Sequence, residues 1–209
     1  IQSGINFIAA GDTLLVPAGV YAQDVNLNKA ATLSFGGISQ VNNLTTAAGS
    51  TLFSDGAFTV TGTAGLAGSV ATSGDLVQIN GATTISGTVS LDTTNGGASA
   101  SGGAVVFGGN INANNTLANR ALTVTTNATT TDGNVSLQNV GDTVPLGVLN
   151  ILAGTGTITL NGSQISTTTA GTGSGNVLFG SSLKLTADTT VNTNGGDVLW
   201  GSTTVYADA

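Results

Sequence analysis

The chain has 209 residues, a mass of 20.2 kDa, three basic residues against ten acidic ones (all Asp) and a net charge of −7. The absence of Cys and His excludes a zinc site, His-ligated haem, a disulfide and a Ser-His-Asp triad, and three cations cannot follow a phosphate backbone, which excludes nucleic acid as a partner. Helix-favouring Glu, Lys, Arg, Met and Gln are scarce, so an α-rich fold is excluded, and no apolar run approaches the roughly 18 residues of a membrane-spanning helix.

The remaining composition is rich in small and polar residues: 32 Gly, 35 Thr and 20 Asn. Val, Ile, Leu and Phe are placed regularly among them, which argues against disorder. In chain order, a turn residue followed by alternating apolar positions recurs nine times. The copies end at Val16, Phe35, Val60, Ile79, Phe107, Leu137, Leu160, Phe179 and Trp200, at gaps of 19 to 30 residues. Each copy has the period-two alternation of a half-buried strand, as at Val135 and Leu137 or Ile158 and Leu160. Two further short strands follow in each repeat, as at 81–85 and 180–185, then around Leu122 and Val124 or Val191.

Three strands and three turns in roughly 20 residues describe one rung of a parallel β-solenoid, with strands of successive rungs about 4.8 Å apart. Nine rungs give a rod on the order of 40 Å long. The expected fold is all-β, a single-stranded parallel β-helix of about nine rungs, forming one domain over 1–209 with a first-turn or capping region at 1–27 and stacked rungs over 28–209. Glycine and Asn are expected at corners that require positive φ, with stacked Asn bonded to Asn of the next rung. Thr is expected on the outer face. The longest gaps hold polar stretches at 98–102 and 127–132, expected as surface loops. Both ends are expected to expose strand edges and apolar core, so head-to-tail self-association is a candidate interaction. The start at Ile1 and the end within a rung read as a processed chain or an excerpt of a longer solenoid.

Two resemblances follow from particular residues. Ile1-Gln2, then 10–14 (Ala-Gly-Asp-Thr-Leu), Val16, Gly19 and Tyr21, resemble the first turn of right-handed parallel β-helices of the pectate-lyase-like superfamily. That resemblance implies right-handedness. The rest, and 175–205 most closely, is similar to filamentous-haemagglutinin-type repeats of very large bacterial surface proteins. It implies a secreted or cell-surface location and a role as adhesin or passenger.

Residues able to do chemistry are few. Lys29, Arg120 and Lys184 lie far apart and beside no acidic cluster, unlike the Asp clusters and basic residue of a polysaccharide lyase. Asp12, Asp75 and Asp197 follow a corner Gly, and Asp55 and Asp132 precede one. They are expected to share one corner, where Asp closes tight turns; the alternative is a calcium ladder. Thr129–Thr131, Thr167–Thr169 and Thr189-Thr190 raise ice binding, but their spacing drifts and ordinary outer-face Thr is the reading preferred. Trp200 and Tyr206 raise a sugar-stacking site. Trp200 sits where Phe179 and Leu160 sit and reads as core, which leaves Tyr206 as a ligand candidate. No cofactor is implied. The expected function is a non-enzymatic structural solenoid of an exported surface protein, as adhesin stalk or passenger or as a filament subunit, with a cell-surface or glycan ligand possible. Rival readings are a carbohydrate- or ice-binding module and a degenerate polysaccharide lyase.

Overall fold

The computed structural model describes residues 1–201 and 204–207, and shows a parallel β-helix. Two nine-stranded parallel sheets run its length. The first begins with Thr13–Val16, Thr32–Phe35 and Thr51–Ser54 and ends with Val177–Phe179 and Val198–Trp200. The second runs from Gly19–Tyr21 and Ser39–Val41 to Ser182–Leu185 and Val205–Ala207. A third face holds five paired strands, Val25–Leu27 to Ile111–Ala113, and a separate pair, Gln164–Ser166 with Thr190–Asn192. Val140 alone bridges these two blocks, pairing with Ile111 on one side and Ile165 on the other.

The nine repeat copies fall one to a rung, but not on one sheet. Those ending at Val16, Phe35, Phe179 and Trp200 lie in the first sheet, and the five from Val60 to Leu160 lie in the second. Some strands of each sheet end with a bulky core-side residue before a corner, as at Phe35 and Phe179 in the first and Phe107 and Leu160 in the second, so a five-residue motif cannot tell them apart. Structural register shows the actual steps. Thr13 stacks on Thr32 and Thr32 on Thr51, whereas Val89 stacks on Leu122 across the insertion at 98–102. The segments 98–102 and 127–132 are surface loops, as expected, and they pair with each other. Thr130 N–H donates to the Ala100 carbonyl at 2.8 Å, Gly102 N–H to that of Thr131 at 2.7 Å, and Thr131 Oγ1 to Ser101 Oγ at 2.8 Å.

Inward positions fill the tube with Val, Ile, Leu and Phe. Phe35, Phe58, Phe107 and Phe179 are fully buried, and the Phe35 and Phe58 rings pack at 5.4 Å between centroids. Thr is not confined to the outside. Thr72, Thr93 and Thr126 are wholly buried at the corner between the first and second sheets. Each hydroxyl donates to a carbonyl across that corner: Thr72 to Asp75 at 2.6 Å, Thr93 to Gly103 at 2.8 Å and Thr126 to Gly133 at 2.6 Å. One hydroxyl thus closes a corner whether the intervening loop is short or long, which is how insertions leave the core register intact.

The corner glycines serve close approach more than unusual φ. Eleven glycines have positive φ, but Gly103, Gly133 and Gly156 are not among them. A Cβ on Gly103 would stand 2.0 Å from the Asp75 carbonyl oxygen, and one on Gly133 2.0 Å from that of Gly103. Among the described residues no Asn side chain bonds to an Asn of the next rung, contrary to expectation. Asn side-chain oxygens instead accept backbone N–H groups of the next rung: Asn43 from Thr63 at 2.7 Å, Asn134 from Thr157 at 2.8 Å and Asn176 from Asp197 at 2.9 Å. A side-chain carbonyl there replaces the backbone acceptor that a corner turns away.

The two ends differ. A six-residue helix, Gln2–Phe7, lies over the first rung with Ile5 fully buried, so the apolar core is covered there, contrary to expectation. Among the described residues no rung lies beyond the ninth, whose core-side Trp200 and Val205 are each about half exposed.

Candidate functional surfaces

The five Asp candidates do not share one corner. Asp55, Asp75 and Asp132 lie between strands of the first and second sheets, whereas Asp12 and Asp197 lie just before first-sheet strands at opposite ends of the rod. The motif misled because a Gly-Asp pair precedes strands of both sheets. Among the described residues no three acidic, Cys or His side chains converge as metal ligands would. Several carboxylates are occupied by turn hydrogen bonds instead. Asp12 accepts the Ala9 N–H at 2.8 Å. Asp132 accepts Ala128 N–H at 2.6 Å and both N–H and Oγ1 of Thr155, in the next rung, at 2.7 and 2.8 Å. These donors, the Thr155 amide foremost, hold the Asp132 carboxyl below its usual range. Asp142, which sequence reasoning did not single out, accepts from the side-chain amides of Asn110 and Asn112 at 2.7 and 2.8 Å and holds the irregular segment after Val140.

Trp200 and Tyr206 do not form one site. Trp200 is in register with Phe179, on the core side of the first sheet, and the rings pack at 5.3 Å. It is nonetheless 48% exposed, because no described rung lies beyond it, so the expectation of a buried core residue fails. Tyr206 is in register with Lys184 on the outer side of the second sheet and is exposed. The basic residues stay apart: Lys29 Nζ donates to the Ile8 carbonyl at 2.8 Å, Arg120 Nε to Asn114 Oδ1 at 2.7 Å, and Lys184 lies in the second sheet's eighth strand.

The Thr clusters divide. Thr129–Thr131 are exposed on their loop, but Thr167 and Thr168 are buried, with the Thr167 hydroxyl donating to the Gly175 carbonyl. A different hydroxyl array is in register. Thr13, Thr32, Thr51, Ser69, Ser90 and Thr123 form one outward column over six consecutive rungs of the first sheet, before Asn150 interrupts it. Unequal rung lengths hide this column in the sequence; aligning on first-sheet strands rather than on the shared motif would reveal it.

Four of the exposed apolar side chains lie at the helix-covered end: Phe7 is 93% exposed, Leu15 76%, Val20 75% and Ile38 73%; Leu117, on a mid-rod loop, is 71% exposed, and the others belong to the last rung. A shallow cleft between the helix and the first rung is lined by Ile1, Gly4, Leu14, Val16, Pro17 and Tyr21, with Leu15 at its rim.

No family model matches the chain, and neither a curated protein nor a solved structure matches it. The likeness to the two β-helix families therefore rests on the motif residues alone.

Proposed function

We propose that the chain is a non-enzymatic structural stretch of an exported surface protein, a stalk or passenger segment of an adhesin. The observation that supports this reading is the unbroken run of two parallel sheets through all nine rungs, with several corners stitched by Thr and Asn hydrogen bonds. Such a body holds its shape over its length and carries loops and faces outward at fixed intervals. The similarity to filamentous-haemagglutinin-type repeats supplies the surface location and adhesive role, and that to pectate-lyase-like first turns supplies the right-handed coil. The helix over the first rung favours the stalk over a head-to-tail filament subunit, since a rung stacking there would have to displace it. Electron microscopy with mass measured by light scattering tests this: dispersed short rods are expected, and long fibres with an axial repeat near the rod length would overturn it in favour of the filament.

The hydroxyl column of the first sheet favours one second reading, a face for carbohydrate or ice. Saturable binding on a glycan array, lost on changing Thr32 and Thr51 to Val, would support the first ligand, and thermal hysteresis the second.

A further inference from the structure

Asn80, Asn95, Asn161 and Asn194 are each followed by Gly. Such a pair carries its own chemistry. The glycine nitrogen has no Cβ beside it, and once deprotonated it can attack Cγ of the preceding Asn side chain. The two atoms must approach each other, so a fold that pins either one suppresses the reaction. Three of the four pairs are pinned. Gly81 N–H donates to the Gly62 carbonyl of the preceding rung at 2.9 Å, and a Cβ on Gly81 would stand 2.5 Å from that oxygen. Asn161 is held from both sides, since its Nδ2 donates to Ser136 Oγ at 2.8 Å and its Oδ1 accepts from Thr186 Oγ1 at 3.1 Å. Asn194 Nδ2 donates to Thr168 Oγ1 at 3.3 Å, its N–H to Asn192 Oδ1 at 3.0 Å, and its carbonyl accepts from Thr169 Oγ1 at 3.1 Å.

Asn95 is the exception. It lies exposed in the turn that follows Val89–Asp92, with φ 53°, and among the described residues its side chain has no hydrogen-bond partner. A Cβ on Gly96 or Gly97 would meet nothing within 4 Å. The one restraint on the nitrogen is Asp92, whose Oδ2 accepts Gly96 N–H at 2.8 Å while its Oδ1 accepts the N–H and hydroxyl of Thr94, both at 2.7 Å.

We propose that Asn95-Gly96 is a self-modification site, at which the chain deamidates through a cyclic imide with water as the only co-reactant, and that Asp92 sets its pace. Gly96 N gives its proton to hydroxide and bonds to Asn95 Cγ. The Cγ–Nδ2 bond then breaks, and the nitrogen takes a proton from water and leaves as ammonia. Water next adds to one of the two ring carbonyls. Cleavage at Cγ leaves an ordinary Asp; cleavage at the backbone carbonyl leaves Gly96 joined through the side chain, with one methylene more in the main chain. Nothing is oxidised or reduced. The Asp92 carboxylate holds the N–H proton and its charge opposes an amide anion beside it, so it slows the attack. Either product adds a negative charge to the turn. The longer chain also disturbs the bonds that close it, from Gly97 N–H to the Thr94 carbonyl and from Ala98 N–H to that of Asn95, both 3.1 Å. The proposal is independent of the stalk reading, which concerns the whole rod.

The test is prolonged incubation of the whole chain at mildly alkaline pH, followed by peptide mapping with mass spectrometry and fragmentation that distinguishes the two products. In the folded chain Asn95 is expected to convert at least about tenfold faster than Asn80 or Asn161, and faster than Asn194. In guanidinium chloride the four rates should converge, since all four pairs are then free. Asp92→Ala should quicken conversion at Asn95 several-fold and leave the other three unchanged. Asp92→Asn, which keeps an acceptor without the charge, should lie between. Equal rates at the four sites in the folded chain, or a faster rate at any of the other three, would overturn the site. A preference for Asn95 that persists in guanidinium chloride would show that the fold does not set it, and would overturn the argument on the unaltered chain alone. An unchanged or slower rate at Asn95 in Asp92→Ala would overturn the role of Asp92.

Discussion

The side-chain amide of Gln2 treats the backbone of Asn26 as a neighbouring strand would: it accepts the N–H at 2.8 Å and donates to the C=O at 3.1 Å. The helix that carries Gln2 covers the core through Ile5, so one six-residue element closes both the tube and one of its three sheet edges. Gln2→Ala is expected to lower stability by about 1 kcal/mol, the net worth of exposed hydrogen bonds. Gln2→Glu keeps the acceptor for Asn26 N–H, loses the donor and should lie between. Urea unfolding measures both. Equal stability of all three chains would show that solvent serves Asn26 as well as Gln2 does.

Gly103 and Gly36 separate two demands on glycine. A Cβ at Gly103 meets the Asp75 carbonyl oxygen at 2.0 Å, whereas one at Gly36 has nothing nearer than the Val16 oxygen at 3.9 Å. Neither has positive φ. Gly103→Ala should therefore force two rungs apart and cost about 3 kcal/mol or more, as overpacked sites do, while Gly36→Ala should stay within about 0.5 kcal/mol of the parent. Comparable midpoints in denaturant would refute the close-approach account.

These glycines also mark the limit of what the sequence revealed. Period-two alternation at Val135–Leu137 or Val105–Phe107 was enough to read parallel rungs, because inward stacking demands it. The sheet to which a copy belongs was not legible, since Gly-Asn-Val-Ser-Leu at 133–137 and Gly-Asn-Val-Leu-Phe at 175–179 look alike yet lie in different sheets. That phase slip is what placed Asp12 and Asp197 in one imagined corner with Asp75. The helix at Gln2–Phe7 escaped notice for another reason. Its sequence, Gln-Ser-Gly-Ile-Asn-Phe, has little helix propensity, and it is held by burial of Ile5 and the bonds of Gln2. The hydroxyl column from Thr13 to Thr123 was hidden because loops of unequal length separate its members.

The buried hydroxyl of Thr126 should matter where exposed Thr does not. It donates to the Gly133 carbonyl at 2.6 Å across the loop that holds Thr129 and Thr130. Thr126→Val keeps the shape and leaves that carbonyl unsatisfied, at an expected cost of about 1–3 kcal/mol. Thr129→Val, on the exposed loop, should change stability by less than about 0.5 kcal/mol. Amide hydrogen exchange across 127–132 should quicken in the first variant and not in the second.

Asp132 gives the same loop a pH dependence. The Thr155 and Ala128 amides hold its carboxyl below the usual carboxylate range. A depressed folded-state value means that the carboxylate contributes stability above its unfolded value, and that this contribution is lost as pH falls through the folded value. Loop 127–132 should loosen below about pH 4, seen as faster proteolytic nicking or exchange than the rungs around it show. Asp132→Asn should remove the pH step. A step of equal size in that variant would assign it to another carboxylate.

Trp200 reports on the state of the last rung. It is the sole tryptophan, packs on the buried Phe179 at 5.3 Å, and remains 48% exposed. Because only one of its faces is covered, Trp200→Ala should cost less than Phe58→Ala, which empties a wholly buried site at about 3–5 kcal/mol. The same half-exposure makes its fluorescence a probe of end-to-end association. In dilute protein a neutral quencher should reach the indole readily. Another rung stacked on Val198–Trp200 would cover the ring's open face, shift emission to shorter wavelength and block quenching as concentration rises. Emission that is blue-shifted and shielded at every concentration would mean that Trp200 is already covered in the dilute protein.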